Sequence, residues 1–180
     1  MKKYIIIVCA ALMVAACGHK VDRAELLADI EQHEQEMNTS FVNYDADDID
    51  SVCNGMIGLY RQFYTAFPTD SLAPVYMMRS ADMLITLERT DEAVTVLDSI
   101  VSLHPEYGDV GGCWFLKGLA YENAELYDSA RAAYTYFIDN YPDHYLAEST
   151  RNSLQYLGMS TEEMFEAIIN AANDNGIERN

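Results

Sequence analysis

The stretch YDSARAAYTYFIDNYPD, residues 127–143, sets small alanines and large rings at a helical interval and then stops on a tyrosine–proline pair. Ala130, Tyr134 and Phe137 share one face at i, i+4 and i+7. The proline ends the pattern because its ring disfavours the helical region for the residue before it. The same phrase recurs. Pro68, Pro105 and Pro142 stand 37 residues apart, and an apolar residue (Phe63, Ile100 or Phe137) precedes each by five places. Tyr60, Leu97 and Tyr134 are in phase, as are Met56, Ala93 and Ala130. A period of this length marks a stacked repeat, because a single helical pair cannot bury both of its apolar faces and needs a neighbour.

The last full repeat resembles the tetratricopeptide repeat. It supplies Trp114, Gly118, Tyr121, Ala130, Tyr134 and Pro142 at that family's spacing, with Lys117 where the family has leucine. The preceding repeat is more diverged, with Met77, Ala81 and Leu84 on its first helix and Ala93, Leu97 and Pro105 on its second. Gly118 and Ala130 are small where two antiparallel helices should approach closely, and Asp91 and Asp128 are expected to cap the second helices. Tyr107-Gly108-Asp109 and Asp143-His144-Tyr145 read as linkers. Carried outward, the pattern gives a first pair over Asp22–Met37 and Asp47–Ala66. At the other end it gives a helix from Tyr145 to Leu157 stopped by Gly158, and a last helix from Ser160 to about Ala172. The expected fold is all-α: a short right-handed α-solenoid of about eight helices in four pairs over residues 22–172, with a polar tail at 173–180.

The first sixteen residues do not belong to that domain. Lys2 and Lys3 precede an apolar run from Tyr4 to Ala16, shorter than the roughly twenty residues a membrane span takes. Val14-Ala15-Ala16-Cys17 resembles the lipobox of a bacterial lipoprotein signal. The resemblance implies cleavage after residue 16, lipidation of Cys17 and a short tether over 17–21. Several acyl chains together anchor firmly where one alone is marginal. Gly18 in place of aspartate implies, by the same resemblance, the periplasmic face of the outer membrane of a Gram-negative bacterium. Of four cysteines, Cys9 leaves with the leader and Cys17 takes lipid. Cys53 and Cys113 remain, in non-neighbouring repeats and expected as buried thiols rather than a disulfide.

The 29 acidic against 11 basic residues give a formal charge of −18, which repels phosphate backbones and excludes nucleic acid as a partner. Nothing points to catalysis. His33-Glu34-Gln35-Glu36-Met37 has methionine where H-E-x-x-H needs its second histidine, and the acidic run Asp45–Asp50 lacks the glycine and glutamate of a calcium loop. His104 and His144 flank the repeat prolines as turn residues, and no phosphate loop or nucleophile elbow occurs. No enzyme, metal or cofactor is expected. Asp-Ser dipeptides at Asp50, Asp70, Asp98 and Asp128 resemble an O-glycosylation signal of some Bacteroidetes, although helix starts also produce them.

In tetratricopeptide arrays the first helices line a concave surface that takes peptide segments. Projected by the period, that stripe holds Met78, Asp82 and Ile85, then Phe115, Leu119 and Glu122, then Asn152 and Tyr156. It would suit a protein or peptide partner with apolar anchors and a basic group. The alternative is that the last helix folds back over the stripe and makes it core. The functional expectation is a membrane-anchored adaptor or assembly scaffold in the cell envelope, with an accessory ligand- or nutrient-capture lipoprotein as the second class.

Overall fold

A computed structural model of the chain describes residues 21–40 and 46–174. The leader, Cys17, most of the tether, the start of the acidic run and most of the tail lie outside the described residues. Eight α-helices occur among those described: α1 Arg23–Ser40, α2 Ala46–Ala66, α3 Ala73–Thr86, α4 Thr90–Leu103, α5 Val110–Asn123, α6 Tyr127–Asn140, α7 Ala147–Ser153 and α8 Thr161–Asp174. The first seven pack in sequence, each helix against the next, and α3 also touches α5.

The period is visible in the backbone. His104 and Tyr141 end α4 and α6 with the same dihedrals, φ −130° and ψ 54°, immediately before Pro105 and Pro142. The turns inside the two central pairs are equally alike. Glu88 (φ 55°) and Glu125 (φ 57°) each adopt the left-handed conformation. The amide after each reaches back across the last turn, Arg89 N to Leu84 O and Leu126 N to Tyr121 O, both at 2.8 Å. This is the helix-ending motif in which glycine usually takes the left-handed place. Asp91 and Asp128 are not the caps that the sequence suggests. They sit inside the first turns of α4 and α6, whose N-cap residues are Arg89 and Leu126, and neither helix has a side-chain cap. The turn brings the chain into the helix so tightly that the aspartates can act only through their charge near the positive helix end. Asp109 does cap, accepting from Gly112 N at 3.1 Å.

The core is a row of clusters rather than one centre. Leu26, Ile30, Met56, Tyr60, Phe63 and Tyr76 join α1, α2 and α3. Met77, Ala81, Leu97, Ile100 and Cys113 join α3, α4 and α5, and Ala130, Tyr134 and Leu157 close the last described layer. Cys53 and Cys113 are buried free thiols. Burial, followed by the nearby Asp109, pushes the Cys113 thiol up to about 12.

Two departures fall at the C-terminal end. The helix expected over Tyr145–Leu157 is only seven residues long. Beyond Ser153 the chain tightens into turns in which Gln155 N and Tyr156 N bond three residues back, and Arg131 takes up the carbonyls of Leu154 and Leu157 at 3.3 Å each. Gly158, at φ 82°, then redirects the chain. In addition, α8 neither forms a fourth packed pair with α7 nor folds over the first helices; it is absent from the helix packing that joins α1 to α7. The shortened α7 buries only Ala147 and Thr150, which leaves α8 little apolar surface to settle on.

Candidate functional site

The first helices α1, α3 and α5 form one side of the stack. Arg79 on α3 pairs with Glu34 on α1, and α3 packs on α5, while on the other side Arg61 of α2 reaches Glu92 of α4 at 3.8 Å. Between α1, α2 and α3 lies a recess of about 260 Å³, walled by Glu34, Met37, Tyr60, Arg79, Asp82 and Met83. Its floor is a fixed network. Tyr60 Oη donates to Glu34 Oε1 at 2.8 Å, and Arg79 donates to the same oxygen. Tyr60 stacks on Tyr76 with centroids 5.3 Å apart, and the Arg79 guanidinium lies over the Tyr76 ring. Burial and then the Glu34 bond raise the Tyr60 hydroxyl far above its ordinary value, so it stays protonated and donating.

Asp82 is different in kind. Among the described residues its carboxylate meets no hydrogen-bond donor and no cation. Lost hydration is the one cause acting on its pKa, and it raises it. The side chain is open to solvent on one side and walled by the recess on the other. A carboxylate in this setting gains from a cation that arrives with its own apolar stem, because Met37 and Met83 can receive the stem while the charge pair forms.

The structure gathers only part of the projected stripe. Met78 lies beside this surface, partly buried, with Tyr107 Oη 3.8 Å from its sulfur. Ile85 does not belong to the stripe: it is 5% exposed and packs with Ile57, Leu84, Ala93 and Ala120. On α5, Phe115 lies 5.9 Å from the rings of both Tyr134 and Phe137, Leu119 packs on the Ile57–Ala120 cluster, and Glu122 accepts from Tyr134 Oη at 2.6 Å. These three hold α5 to its neighbours. Asn152 is exposed on α7, and Tyr156 is half-buried in the turn after it. Glu34, Met37, Tyr60, Arg79 and Met83 are site residues that the period missed. The 37-residue register marks Met56, Tyr60 and Phe63 on α2 as packing residues and does not extend into α1. That helix runs to 18 residues where the central helices have 14, so the register could not bring Glu34 and Met37 to Arg79 and Met83.

The repeat-packing residues surround α5 and α6. Gly118 leaves a notch filled by the Tyr134 ring, which a Cβ at 118 would overlap. Trp114 faces Tyr136 with centroids 3.9 Å apart, and Lys117 Nζ sits 4.3 Å from the Trp114 ring while donating to Asp98 at 2.6 Å. Ala93, Leu97 and Ala130 are fully buried, and Tyr121 packs on the Ala130–Tyr134 cluster. His33 Nδ1 bonds the Asp29 carbonyl at 2.7 Å, and no group of three metal-liganding side chains forms among the described residues. Of the Asp-Ser serines, Ser51, Ser71 and Ser129 are exposed, whereas Ser99 donates to the Thr95 carbonyl.

Antiparallel helix pairs stacked in a row, with first helices facing one another across the repeats, define a helical-repeat protein. Residues 113–144, which cover α5, α6 and the turn between them, match the family model of the tetratricopeptide repeat. The chain therefore carries a tetratricopeptide repeat within an all-helical solenoid, and repeats of this kind generally serve to bind proteins or peptides. No curated protein and no solved structure matches the chain. No described helix is long and apolar enough to cross a membrane.

Proposed function

We propose that the chain is an envelope adaptor: a lipoprotein held by Cys17 at the periplasmic face of the outer membrane, whose first-helix surface binds a peptide segment of another protein. The Asp82 carboxylate carries this reading. It is the charged group of the recess without a partner among the described residues, and it shares that recess with Met37 and Met83 on the side where such stacks receive peptides. The preferred segment carries an apolar residue and a lysine or arginine. The acidic chain adds long-range attraction for that segment, which salt screens.

The test is a titration of the mature chain with end-blocked peptides that differ only in having arginine, lysine or alanine at one central position. Asp82→Asn should remove the preference for the basic peptides without changing the melting temperature. Binding should also weaken as the pH falls through the raised pKa of Asp82 and protonates it. Equal binding of the alanine and arginine peptides, or an unchanged preference in Asp82→Asn, excludes the site. The anchor is tested separately. Cys17→Ser should move the chain from the membrane fraction to the soluble periplasmic fraction, and full retention would remove lipidation from the proposal.

A further inference from the structure

The helix that leaves the stack has an apolar face that the described residues leave exposed. On α8, Met164, Phe165, Ile168 and Ile169 are 37%, 65%, 47% and 37% exposed, and Met159 just before it is 44% exposed. Spaced i, i+1, i+4 and i+5, these four form one continuous arc with Glu162 at its edge, and Glu163, Glu166 and Asn170 lie on the other side. The helix does not need the stack in order to start. Ser160 N donates to Glu163 Oε2 at 2.8 Å and Glu163 N donates to Ser160 Oγ at 3.3 Å, a reciprocal cap built from its own residues. A helix of 14 residues is marginal in water by itself, so a face this apolar gains most by docking.

We infer that α8 is a second docking element, a guest helix that inserts this arc into an apolar groove rimmed by lysine or arginine on another protein. Charge selects among the possible hosts. α8 contains no lysine or arginine, so its polar side offers nothing to anionic lipid headgroups, whereas helices that lie on membranes carry cations there. A second copy would bring one set of glutamates against another on a chain whose formal charge is already −18. A groove with a basic rim meets both the apolar arc and the carboxylates that flank it, with Phe165 as the anchor. This site is independent of the Asp82 recess.

The experiment uses the full-length chain in intact cells, with a photo-crosslinking side chain introduced at the edge of the arc as Glu162→p-benzoylphenylalanine. One discrete adduct to a different protein is expected, mapped by mass spectrometry to an apolar segment flanked by lysine or arginine. Adding Phe165→Glu or Ile168→Glu should reduce that adduct more than about tenfold, while Asp82→Asn leaves it intact; an adduct lost only in Asp82→Asn belongs to the groove and overturns the α8 site. Absence of any adduct overturns it too, as does an adduct on a segment without basic residues. On the purified chain, a dimer in sedimentation that Phe165→Glu dissolves would make the host a second copy. Flotation with phosphatidylcholine–phosphatidylglycerol vesicles that Phe165→Glu abolishes would make it the bilayer. A melting temperature lowered by several degrees in Phe165→Glu would show that the face is part of the protein's own core. Each of these three results replaces the proposal.

Discussion

The pair α5–α6 and the segment α7–α8 begin from similar sequence material and end differently. Both offer apolar residues at helical spacing and both have a backbone signal at the turn between the helices. In the first pair, Gly118 opens a notch and Tyr134 fills it, while Trp114 is held between Lys117 and Tyr136. In the second segment α7 stops after two turns and α8 keeps its one ring, Phe165, in solvent. The turns differ in the same sense: Glu125 accepts a strained left-handed conformation, whereas Gly158 takes one that costs a glycine little. A helical pattern therefore makes a helix in both places, but only a fitted neighbour makes a layer.

The largest break in that comparison should come at the notch. Gly118→Ala forces its new methyl into the Tyr134 ring, and overpacking of this kind costs about 1–3 kcal/mol. Phe165→Ala removes a much larger group and should change the urea midpoint hardly at all, because Phe165 is 65% exposed. Equal losses in the two variants would mean that α8 is packed after all. A smaller effect is expected at Lys117, whose side chain is 11% exposed while that of Asp98 is 55% exposed. Asp98→Ala leaves the less accessible ammonium without its anion and should cost about 1 kcal/mol, less than a fully buried pair because water reaches the aspartate. Lys117→Leu restores the residue type the repeat pattern expects and should be close to neutral. A double-mutant cycle across the two positions measures the coupling directly.

These central features were the legible ones. The interval between prolines and the ring positions pointed to stacked pairs because identical turns demand identical spacing, as the matching dihedrals of His104 and Tyr141 show. Ile85 was misplaced because the period identifies a helical face only to within about one residue's rotation of 100°, and a small rotation of α3 turns that side chain toward Ala93 and Ala120. Glu34 lies on α1, outside the common register, so no spacing could announce its pair with Arg79. Glu88 and Glu125 gave no signal, since left-handed turns are read from glycine or asparagine. The isolation of α8 was illegible for a more general reason. Amphipathic spacing states that a face wants cover without stating whether the same chain provides it.

The strain at Glu125 gives a finer test. Glu125→Gly relieves the left-handed cost but adds freedom to the unfolded chain, so a gain of at most about 1 kcal/mol is expected. Its partner in phase, Glu88→Gly, should behave alike because φ differs by only 2° between the two, at 55° and 57°. A loss of stability at either site would mean that the glutamate side chain contributes more than its backbone costs.

The smallest effect belongs to α8 and depends on pH. The Ser160 amide, and then its hydroxyl, hold Glu163 below the ordinary glutamate value. A depressed folded pKa stabilises the helix start above the unfolded pKa, and that stabilisation is lost as the pH falls through the folded one. Glu163→Ala should therefore lower helical ellipticity near neutral pH, with the difference from wild type fading in acid as the wild-type cap protonates. The near-ultraviolet signal of Trp114 and its neighbouring rings should be the same in both proteins throughout, because the capped helix is not part of their layer. A Glu163→Ala difference that persists in acid would remove the cap from the account. A change in the aromatic signal would place α8 back on the stack and erase the distinction between the two pairs.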